Sequence, residues 1–257
     1  MPRRNYIQKT TGRKVPGVTT YLGILAKPAL IWWGYKQGMD NYERLSKDIA
    51  GYAKNIGWPK PTDDDRAIGS YLQDVIQSFP VLGLYDKRDQ AADAGTLGHT
   101  LIECDLQEQP LPDTSTYPDV VKEKAEGCYL AFLDWKKNHA LTVLGSEVPL
   151  TSEQWPYGGT IDHVIQTNVT PKGHVDILDI KTGKDIYLEA KIQVAAYGPL
   201  WNEHHPDQPV SGYHILRLGP NGEFTHKYFP TLDGKYFEIF LDCLDIKETL
   251  TQLGEKI

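Results

Sequence analysis

The segment from Val175 to Lys181 reads Val-Asp-Ile-Leu-Asp-Ile-Lys, an apolar and β-branched run that contains two aspartates and ends in a lysine. Such a run predicts a short strand. Because residues two apart on a strand share a face, Asp179 and Lys181 are expected to point to the same side at the end of a sheet. Carboxylates gathered beside a lysine can hold a hard divalent cation next to a phosphodiester.

The order of the predicted elements indicates the fold class. Helical patterns come first, at residues 19–38, 40–54, 63–79, 86–105 and 119–138. Strand patterns then alternate with two helices: strands 141–150, 160–167 and 175–181, helix 186–204, strands 211–218 and 223–229, and helix 236–253. A helix between two strands can make a right-handed crossover and a parallel pair. We therefore expect an α/β (α+β) protein in which a small mixed β-sheet is flanked by helices.

Length and composition fit a soluble globular protein. The chain has 257 residues, of which 40% are hydrophobic and 24% charged. We expect a helical N-terminal region over residues 1–80 and a core over residues 81–257. No apolar run approaches the roughly 20 residues of a membrane span, and the N-terminus lacks the apolar stretch of a secretory signal. Three widely spaced cysteines form no disulfide framework, so we expect a cytoplasmic protein without membrane contact.

Charge is distributed unevenly along the chain. Residues 1–60 carry 11 lysines and arginines against 3 acids, although the whole chain has a net charge of −7. Aromatic residues are interleaved with these cations, and lysines that track phosphates beside rings that stack on bases suit a single-stranded nucleic acid. The candidate contacts are Lys27, Trp32, Trp33 and Lys36. The alternative is a solvated helical subdomain whose aromatic residues form its core.

Three further residues are candidates for a site around Asp179. Asp162 follows two glycines on the neighbouring predicted strand, and two carboxylates that close together would need a cation between them. His99 lies on a predicted helix, and Glu147 ends the first predicted strand as an extra acid near a metal. Each has an ordinary alternative: a solvent-facing acid, a surface or core histidine, and a charge on an edge strand.

Two helical spacings could serve the same site. Gly95 and Gly98 precede His99, and their small size would let that helix pack closely on the sheet. Gln193 and Tyr197 are four residues apart on the helix after the lysine strand, so they share a face. They could contact a phosphate, hold Lys181, or only satisfy local polar groups.

Five short motifs occur in one order along the chain. They are Gly95–His99, Glu147, Gly159–Asp162, Asp179–Lys181 and Gln193–Tyr197. Together they resemble the PD-(D/E)XK nuclease superfamily, and within it the RecB-like exonuclease branch. The segment Val15–Thr20 is also similar to the VPSVT-type opening of the mitochondrial genome maintenance exonuclease and its phage relatives. The resemblance covers about residues 15 to 230.

This resemblance implies a restriction-endonuclease-like core over residues 81–257 and phosphodiester cleavage that depends on Mg²⁺ or Mn²⁺. Asp162, Asp179 and the main-chain carbonyl of Ile180 would bind the metal, with His99 as a nitrogen ligand. A histidine ligand makes Mn²⁺ more acceptable than it would be in an all-oxygen site. Lys181 would orient the attacking water and offset charge that develops in the transition state.

Two departures from the branch limit its implications. Some members bind an iron–sulfur cluster with four cysteines, which three scattered cysteines cannot supply, so we expect no cluster. No GxxxxGK[ST] motif is present, so any helicase or other recombination partner must be a separate chain.

The leading expectation is a phage or bacterial exonuclease that acts on single-stranded DNA or DNA ends, in the host cytoplasm if it is phage-encoded. An endonuclease of the same fold, a non-catalytic nucleic-acid-binding module and a metal enzyme with a small-molecule substrate remain open.

Overall fold

The computed structural model describes residues 5–25, 39, 43, 46–47 and 84–255. Contacts divide the chain into two compact units, of which one combines Met1–Ala26 with Ala92–Ile257 and the other spans Lys27–Ala91. The boundary predicted at residue 80 differs from this division, because residues 5–25 pack with the sheet. The predicted contacts Lys27, Trp32, Trp33 and Lys36 lie outside the described residues, as does nearly all of the predicted helices 40–54 and 63–79.

From residue 84 onward, the first unit is built of helices and strands in the predicted order, whereas two short strands near the N-terminus were not predicted. Its strands are β1 (Tyr6–Ile7), β2 (Lys14–Val15), β3 (Thr142–Thr151), β4 (Gly158–Gln166), β5 (Val175–Lys181), β6 (Val210–Leu218) and β7 (Phe224–Phe229). Its helices are α1 (Val18–Leu22), α2 (Leu84–Leu106), which begins in the second unit, α3 (Asp119–Lys137), α4 (Leu188–His204) and α5 (Gly234–Gln252). In the described part of the chain, no helix combines the length and apolar character needed to cross a membrane.

Five strands form one mixed sheet in the order β3-β4-β5-β6-β7. Strands β5 and β6 are parallel, and the other neighbours are antiparallel. Helix α4 connects the parallel pair, as the sequence predicts, because parallel neighbours need a crossover. The structure confirms an α/β (α+β) protein with a small mixed sheet flanked by helices.

Helices cover both faces of this sheet. On one face, Ile177 and Ile215 join a core with α4 and α5 that includes Ile192 and Phe240. On the other face, a second core joins the sheet to α2 and α3. Strand β5 is buried along almost its whole length, which explains why apolar residues occur on both of its faces, with Asp176 and Asp179 as the buried exceptions.

Helix α3 shows how the sequence produces this packing. Its buried residues recur at alternating spacings of three and four, which places them in one stripe: Val121, Ala125, Cys128, Phe132 and Trp135. Fully burying a side chain such as Phe132 contributes roughly 1.5–3 kcal/mol. The opposite face carries charged residues, so only one orientation of α3 on the sheet buries the apolar stripe.

The N-terminal segment contacts the sheet at the beginning of β4. Strands β1 and β2 form a hairpin, and the Gly158 N–H donates to the Pro16 carbonyl at 3.0 Å. The Tyr6 hydroxyl lies 2.9 Å from Thr160 Oγ1. A Cβ on Gly158 would come within 2.3 Å of the Tyr6 ring, so only glycine allows this approach.

Three predicted boundaries are wrong. Helix α1 begins at Val18 and ends at Leu22, where Gly23 follows, instead of running from residue 19 or 20 to residue 38. Helix α4 begins at Leu188 instead of Ile186, because the Asp185 carboxylate bonds to the Ile186 N–H within the preceding turn. Glu147 lies inside β3 instead of at its end, because β3 continues through Thr151 to pair with the two glycines of β4.

Candidate active site

Strands β4 and β5 separate at one end, and polar side chains fill the gap. Their last paired residues are His163 and Leu178, and Asp162 and Asp179 follow immediately beyond that pair. Asp162 Oδ2 accepts a hydrogen bond from the Ile180 N–H at 3.0 Å. The Asp162 side chain therefore replaces a main-chain partner that the separated strand no longer provides.

The Asp179 carboxylate is fully buried and paired with Lys181. The Lys181 Nζ donates to Asp179 Oδ1 at 2.9 Å and also lies 2.7 Å from Oδ2. The approach to Oδ2 lacks hydrogen-bond geometry, so Oδ2 is a buried oxygen without a hydrogen bond. Both side chains lie at the strand end, as the two-residue spacing predicts.

Burial controls the electrostatics of this pair. The pKa of Asp179 is raised to about 7, chiefly by burial; the Lys181 charge and hydrogen bond oppose the rise, and the nearby Asp162 charge adds to it. Burial also lowers the pKa of Lys181, but the charges of Asp179 and Asp162 outweigh that effect and leave it above its usual value. Lys181 is therefore a cation at neutral pH, held against acids that repel each other.

A chain of hydrogen bonds extends from Lys181 to α4. The Lys181 Nζ donates to Gln193 Oε1 at 3.1 Å, and Gln193 Nε2 donates to the Tyr197 hydroxyl at 2.8 Å. Of the roles that the sequence left open for Gln193 and Tyr197, holding the lysine is the one for which the structure provides contacts. Gly159 makes room for this arrangement, because a Cβ there would lie 2.6 Å from the Tyr197 ring.

Glu147 lies level with Asp162 on the neighbouring strand. The residues on either side of it pair across β3 and β4, Ser146 with His163 and Val148 with Ile161. Carboxylates from three adjacent strands therefore lie in one row, at Glu147, Asp162 and Asp179. Glu147 has a φ of 51°, a left-handed conformation that costs a non-glycine residue roughly 1–2 kcal/mol. Backbone strain of this kind is found at functional sites.

His99 approaches the same gap from α2. Burial lowers its pKa, and the neighbouring charges of Asp162 and Lys181 act on it in opposite directions. The imidazole is neutral at pH 7, which is the form that binds metals. Close packing at Gly95 brings α2 near, because a Cβ there would lie 2.8 Å from Thr182 Oγ1. The sequence interpretation gave Gly98 the same role, but a Cβ there would make only ordinary contacts, the nearest with Cys128 at 3.6 Å.

His163 was missed by the sequence interpretation. It is buried on β4 beside Asp162, and its Nδ1 lies 3.0 Å from Ser146 Oγ. Burial lowers its pKa to about 4. Nothing in the local sequence distinguishes it from a surface histidine of an edge strand, because its burial depends on α2 covering the sheet.

A cleft of about 780 Å³ opens over these residues. Its lining includes Glu147, Asp162, Lys181, Gln193 and Tyr197, together with His99 and Ile180. A second wall comes from the N-terminal segment, which contributes Tyr6, Lys14, Thr19 and Thr20. The sequence interpretation did not assign a site role to these four residues. Two sequence observations pointed to this segment: the basic, aromatic-rich character of residues 1–60 and the similarity of Val15–Thr20 to a known opening motif.

The metal predicted at this site can be tested against the donors that are present. Within the described residues, no three His, Cys, Asp or Glu side chains converge to hold a metal ion, so the structure does not bring His99 into one cluster with both aspartates. Magnesium, however, is commonly bound by one or two carboxylates and several waters. Asp162, Asp179 and the Ile180 carbonyl can provide such a set.

Two observations favour that fit. Asp179 Oδ2 makes no hydrogen bond, and its ion pair with the Lys181 ammonium at 2.7 Å leaves a lone pair that a second cation could use. The N–H and C=O of one residue point to the same edge of a strand, so the Ile180 carbonyl is directed toward the gap where its N–H meets Asp162. The residues therefore fit Mg²⁺ or Mn²⁺, with His99 as a neutral neighbour.

Comparison with known proteins adds little to this geometry. No protein-family model matches the chain, and no curated protein matches it. Twenty-one solved chains match. One of them, the crystal structure of SSO0001, is 14% identical over 61% of this chain and 74% of that chain, with a TM-score of 0.31. A similarity this weak carries no argument about fold or function.

Proposed function

We propose that the protein is a metal-dependent DNA exonuclease of the PD-(D/E)XK type. The observation that supports this most directly is the arrangement at the separated ends of β4 and β5. Asp162 and Asp179 lie side by side there, and Lys181 is held against Asp179 at 2.7 Å. Two acids and a partly buried lysine beside an open cleft match the needs of phosphodiester hydrolysis better than those of binding alone, which has no use for a lysine held against two acids.

Lys181 has the central role in the proposed reaction. Its ammonium group is positioned by Asp179 and Gln193, so two of its three protons are engaged and its orientation is fixed. From that position it would orient the attacking water and offset the negative charge that grows on the phosphate oxygens. A new bond forms between the water oxygen and phosphorus, and the bond from phosphorus to the leaving oxygen breaks.

The acids would hold the metal, with Asp162, Asp179 and the Ile180 carbonyl as ligands. Bound Mg²⁺ or Mn²⁺ supplies a water of lowered pKa and polarises the phosphate. Glu147 lies level with Asp162 and would add a further acid at the same edge of the sheet. His99 would remain a neutral neighbour of Asp162, because the described structure does not bring it into one cluster with both aspartates.

Gln193 and Tyr197 would act through Lys181 as positioning residues. Gln193 is the only group on α4 that bonds to the lysine in the described structure, and Tyr197 fixes the amide in turn. Burial raises the pKa of Tyr197 well above its usual value, and the charges of Asp162 and Asp179 add to this. The phenol therefore keeps its proton and remains neutral beside the acids.

The deciding experiment uses purified protein with Mg²⁺ or Mn²⁺. End-labelled linear DNA and circular DNA, each single-stranded and double-stranded, are incubated with the wild type, Lys181→Ala and Lys184→Ala. Lys184 is an exposed lysine three residues away and serves as the matched control. Release of short products from linear DNA only, lost in Lys181→Ala and kept in Lys184→Ala, supports the exonuclease.

Other outcomes separate the alternatives. Cleavage of circular DNA would indicate an endonuclease of the same fold. Binding of DNA without cleavage under any metal would indicate a non-catalytic binding module. Absence of both binding and cleavage would overturn the proposal.

A further inference from the structure

The N-terminal wall of the cleft carries a cation that the proposed chemistry does not use. Lys14 lines the cleft, as Lys181 does, and no other lysine or arginine among the described residues lines it. Lys181 is engaged by Asp179 and Gln193. Lys14 is exposed, and no carboxylate of the described chain pairs with it within 4.0 Å.

The position of Lys14 is set by contacts with the acid-bearing strand. Lys14 pairs with Ile7 in the β1–β2 hairpin, next to the Tyr6 and Val15 pair. Tyr6 in turn lies 2.9 Å from Thr160 Oγ1, two residues before Asp162. The hairpin is therefore held beside the acids, and Lys14 is part of a fixed wall instead of a free tail.

Charge in the cleft explains what this lysine would bind. Glu147 and Asp162 are the acids in the cleft lining and Asp179 lies buried beside them, so acidic groups outnumber the one nearby cation, Lys181. A bound divalent metal would offset that excess and allow one phosphate to approach. A neighbouring phosphate on the same strand needs a further cation, and Lys14 supplies it.

Hydroxyl groups complete this part of the wall. Thr19 and Thr20 are exposed and line the cleft on the same segment as Lys14. Threonine hydroxyls and lysine are ordinary donors to phosphate oxygens. Arg13, the residue next to Lys14, points away and pairs with Glu248 on α5. The chain thus directs one of two adjacent cations into the cleft and neutralises the other elsewhere.

We infer that Lys14, with the hydroxyls of Thr19 and Thr20, binds the DNA phosphate next to the one that is cleaved. This inference rests on the proposed nuclease function and adds a second phosphate subsite to it. The subsite makes no contact with the reacting phosphorus, so it selects a substrate with at least two phosphates and leaves the chemical step unchanged.

The test compares two substrates in Lys14→Ala, Lys14→Arg and the control Arg13→Ala. One substrate is a short single-stranded oligonucleotide, and the other is bis(4-nitrophenyl) phosphate, which has no neighbouring phosphate. Lys14→Ala should lower kcat/KM on the oligonucleotide about tenfold, as expected for loss of one charged hydrogen bond. Hydrolysis of bis(4-nitrophenyl) phosphate should stay unchanged, and Lys14→Arg should retain most oligonucleotide activity.

Salt dependence gives a second, independent measurement. Oligonucleotide affinity is measured against salt concentration with the wild type, Lys14→Ala and Arg13→Ala. Loss of one phosphate contact should reduce the slope of log affinity against log salt by about 0.7 for a single strand. Arg13→Ala should keep the wild-type slope, because its side chain faces Glu248.

Three results would overturn the subsite. The first is that Lys14→Ala has the same kcat/KM on the oligonucleotide as Arg13→Ala. The second is that Lys14→Ala loses activity equally on both substrates. The third is that the salt slope of Lys14→Ala equals that of the wild type. Failure of the proposed function looks different, because the wild type itself would then hydrolyse neither substrate. If the wild type binds the oligonucleotide but does not cleave it, the salt slope still tests the subsite. If the wild type does not bind the oligonucleotide, both proposals are overturned.

Discussion

The Asp162 carboxylate accepts a hydrogen bond from the Ile180 N–H, 3.0 Å away, at the place where the ladder between β4 and β5 has ended. One side chain thus has two tasks. It satisfies a main-chain donor that strand separation exposes, and it brings a negative charge next to Asp179. Different substitutions of Asp162 can therefore test its effect on stability separately from its effect on the proposed activity.

Asp162→Asn and Asp162→Ala should differ in stability but not in activity. Asparagine keeps an oxygen that can accept from Ile180, whereas alanine leaves that donor unsatisfied, at a cost of about 1–3 kcal/mol. Both variants lose the charge that the proposed metal site needs, so both should lose cleavage. Urea denaturation and an end-labelled DNA assay measure the two effects. Cleavage at the wild-type rate in Asp162→Asn would contradict the role of the charge.

Removing the Lys181 charge should abolish cleavage and destabilise the fold at the same time. Lys181→Met leaves the buried Asp179 without its cation, and breaking a buried pair in this way costs roughly 3–5 kcal/mol. The double variant Asp179→Asn with Lys181→Met leaves no charge on either side chain and should recover most of that loss while remaining inactive. Thermal denaturation of both variants measures these stabilities. A double variant that is no more stable than Lys181→Met would show that the unpaired charge of Asp179 does not cause the loss of stability.

Much of this fold follows from patterns that the sequence displays openly. The β-branched and apolar residues of β5, the helix between β5 and β6, and the apolar stripe on α3 were each visible in the sequence, and each of these elements was predicted. The ends of the helices and strands were harder to predict from the sequence. Helix α1 ends at Leu22 because Gly23 follows and its apolar residues turn into the core, whereas the helical pattern of the sequence continues past that point.

The site was predictable only in part, for a physical reason. Asp179 and Lys181 share a strand, and Gln193 and Tyr197 share a helix face, so local spacing alone relates the members of each pair. Lys14 and His163 become site residues only through contacts far along the chain, such as that between Tyr6 and Thr160. The separation of β4 from β5, which lets Asp162 bond to Ile180, leaves no mark in either strand's own sequence.

Gly159→Ala should reduce both stability and activity through Tyr197. The added Cβ would lie 2.6 Å from the Tyr197 ring, so the ring must shift, at a cost of roughly 1–3 kcal/mol for overpacking. A displaced phenol no longer fixes Gln193, and Lys181 loses its support from α4. We expect kcat to fall more than tenfold with little change in KM, because positioning of the lysine is lost while the cleft stays open.

Gly183→Ala is the matched control for this prediction. It lies in the exposed turn after β5, and a Cβ there would meet nothing within 4 Å. Its melting temperature and kinetics should equal those of the wild type. If Gly159→Ala and Gly183→Ala have the same melting temperature and kinetics, then close contact between residue 159 and Tyr197 is not needed for the stability or the activity of the site.

A row of three histidines on the other side of the sheet, of which His214 is buried and His226 and His139 are partly buried, should make stability depend on pH. His214 Nε2 lies 3.2 Å from Asp176 Oδ2, and its Nδ1 lies 2.9 Å from His226 Nε2. Because the carboxylate accepts from Nε2–H, neutral His214 accepts at Nδ1, and His226 donates to it. His139 lies edge-on to His226, with ring centroids 5.1 Å apart. A proton on His226 would therefore place a charge among neighbouring imidazoles.

The direction of the effect follows from the pKa of His226. Burial, together with His214 and His139, lowers it to about 4. Between that value and the ordinary histidine pKa of about 6.5, the unfolded chain binds a proton that the folded protein does not. The free energy of unfolding should therefore fall as pH decreases from 6.5 to 4, and solvent around the partly exposed ring reduces the size of this fall. Above pH 6.5 the group makes no difference.

His226→Gln should reduce this pH dependence, because a glutamine amide can still donate to His214 but cannot take up a proton in this range. His163, with a pKa also near 4, keeps part of the slope, and Asp179, with a raised pKa, acts in the opposite direction. The difference between variant and wild type isolates His226, since those groups are common to both. Urea denaturation at several pH values from 4 to 8 measures it, with His174→Gln, in the turn before β5, as the control that keeps the wild-type slope. A His226→Gln slope equal to that of the wild type would show that His226 does not resist protonation in the folded protein.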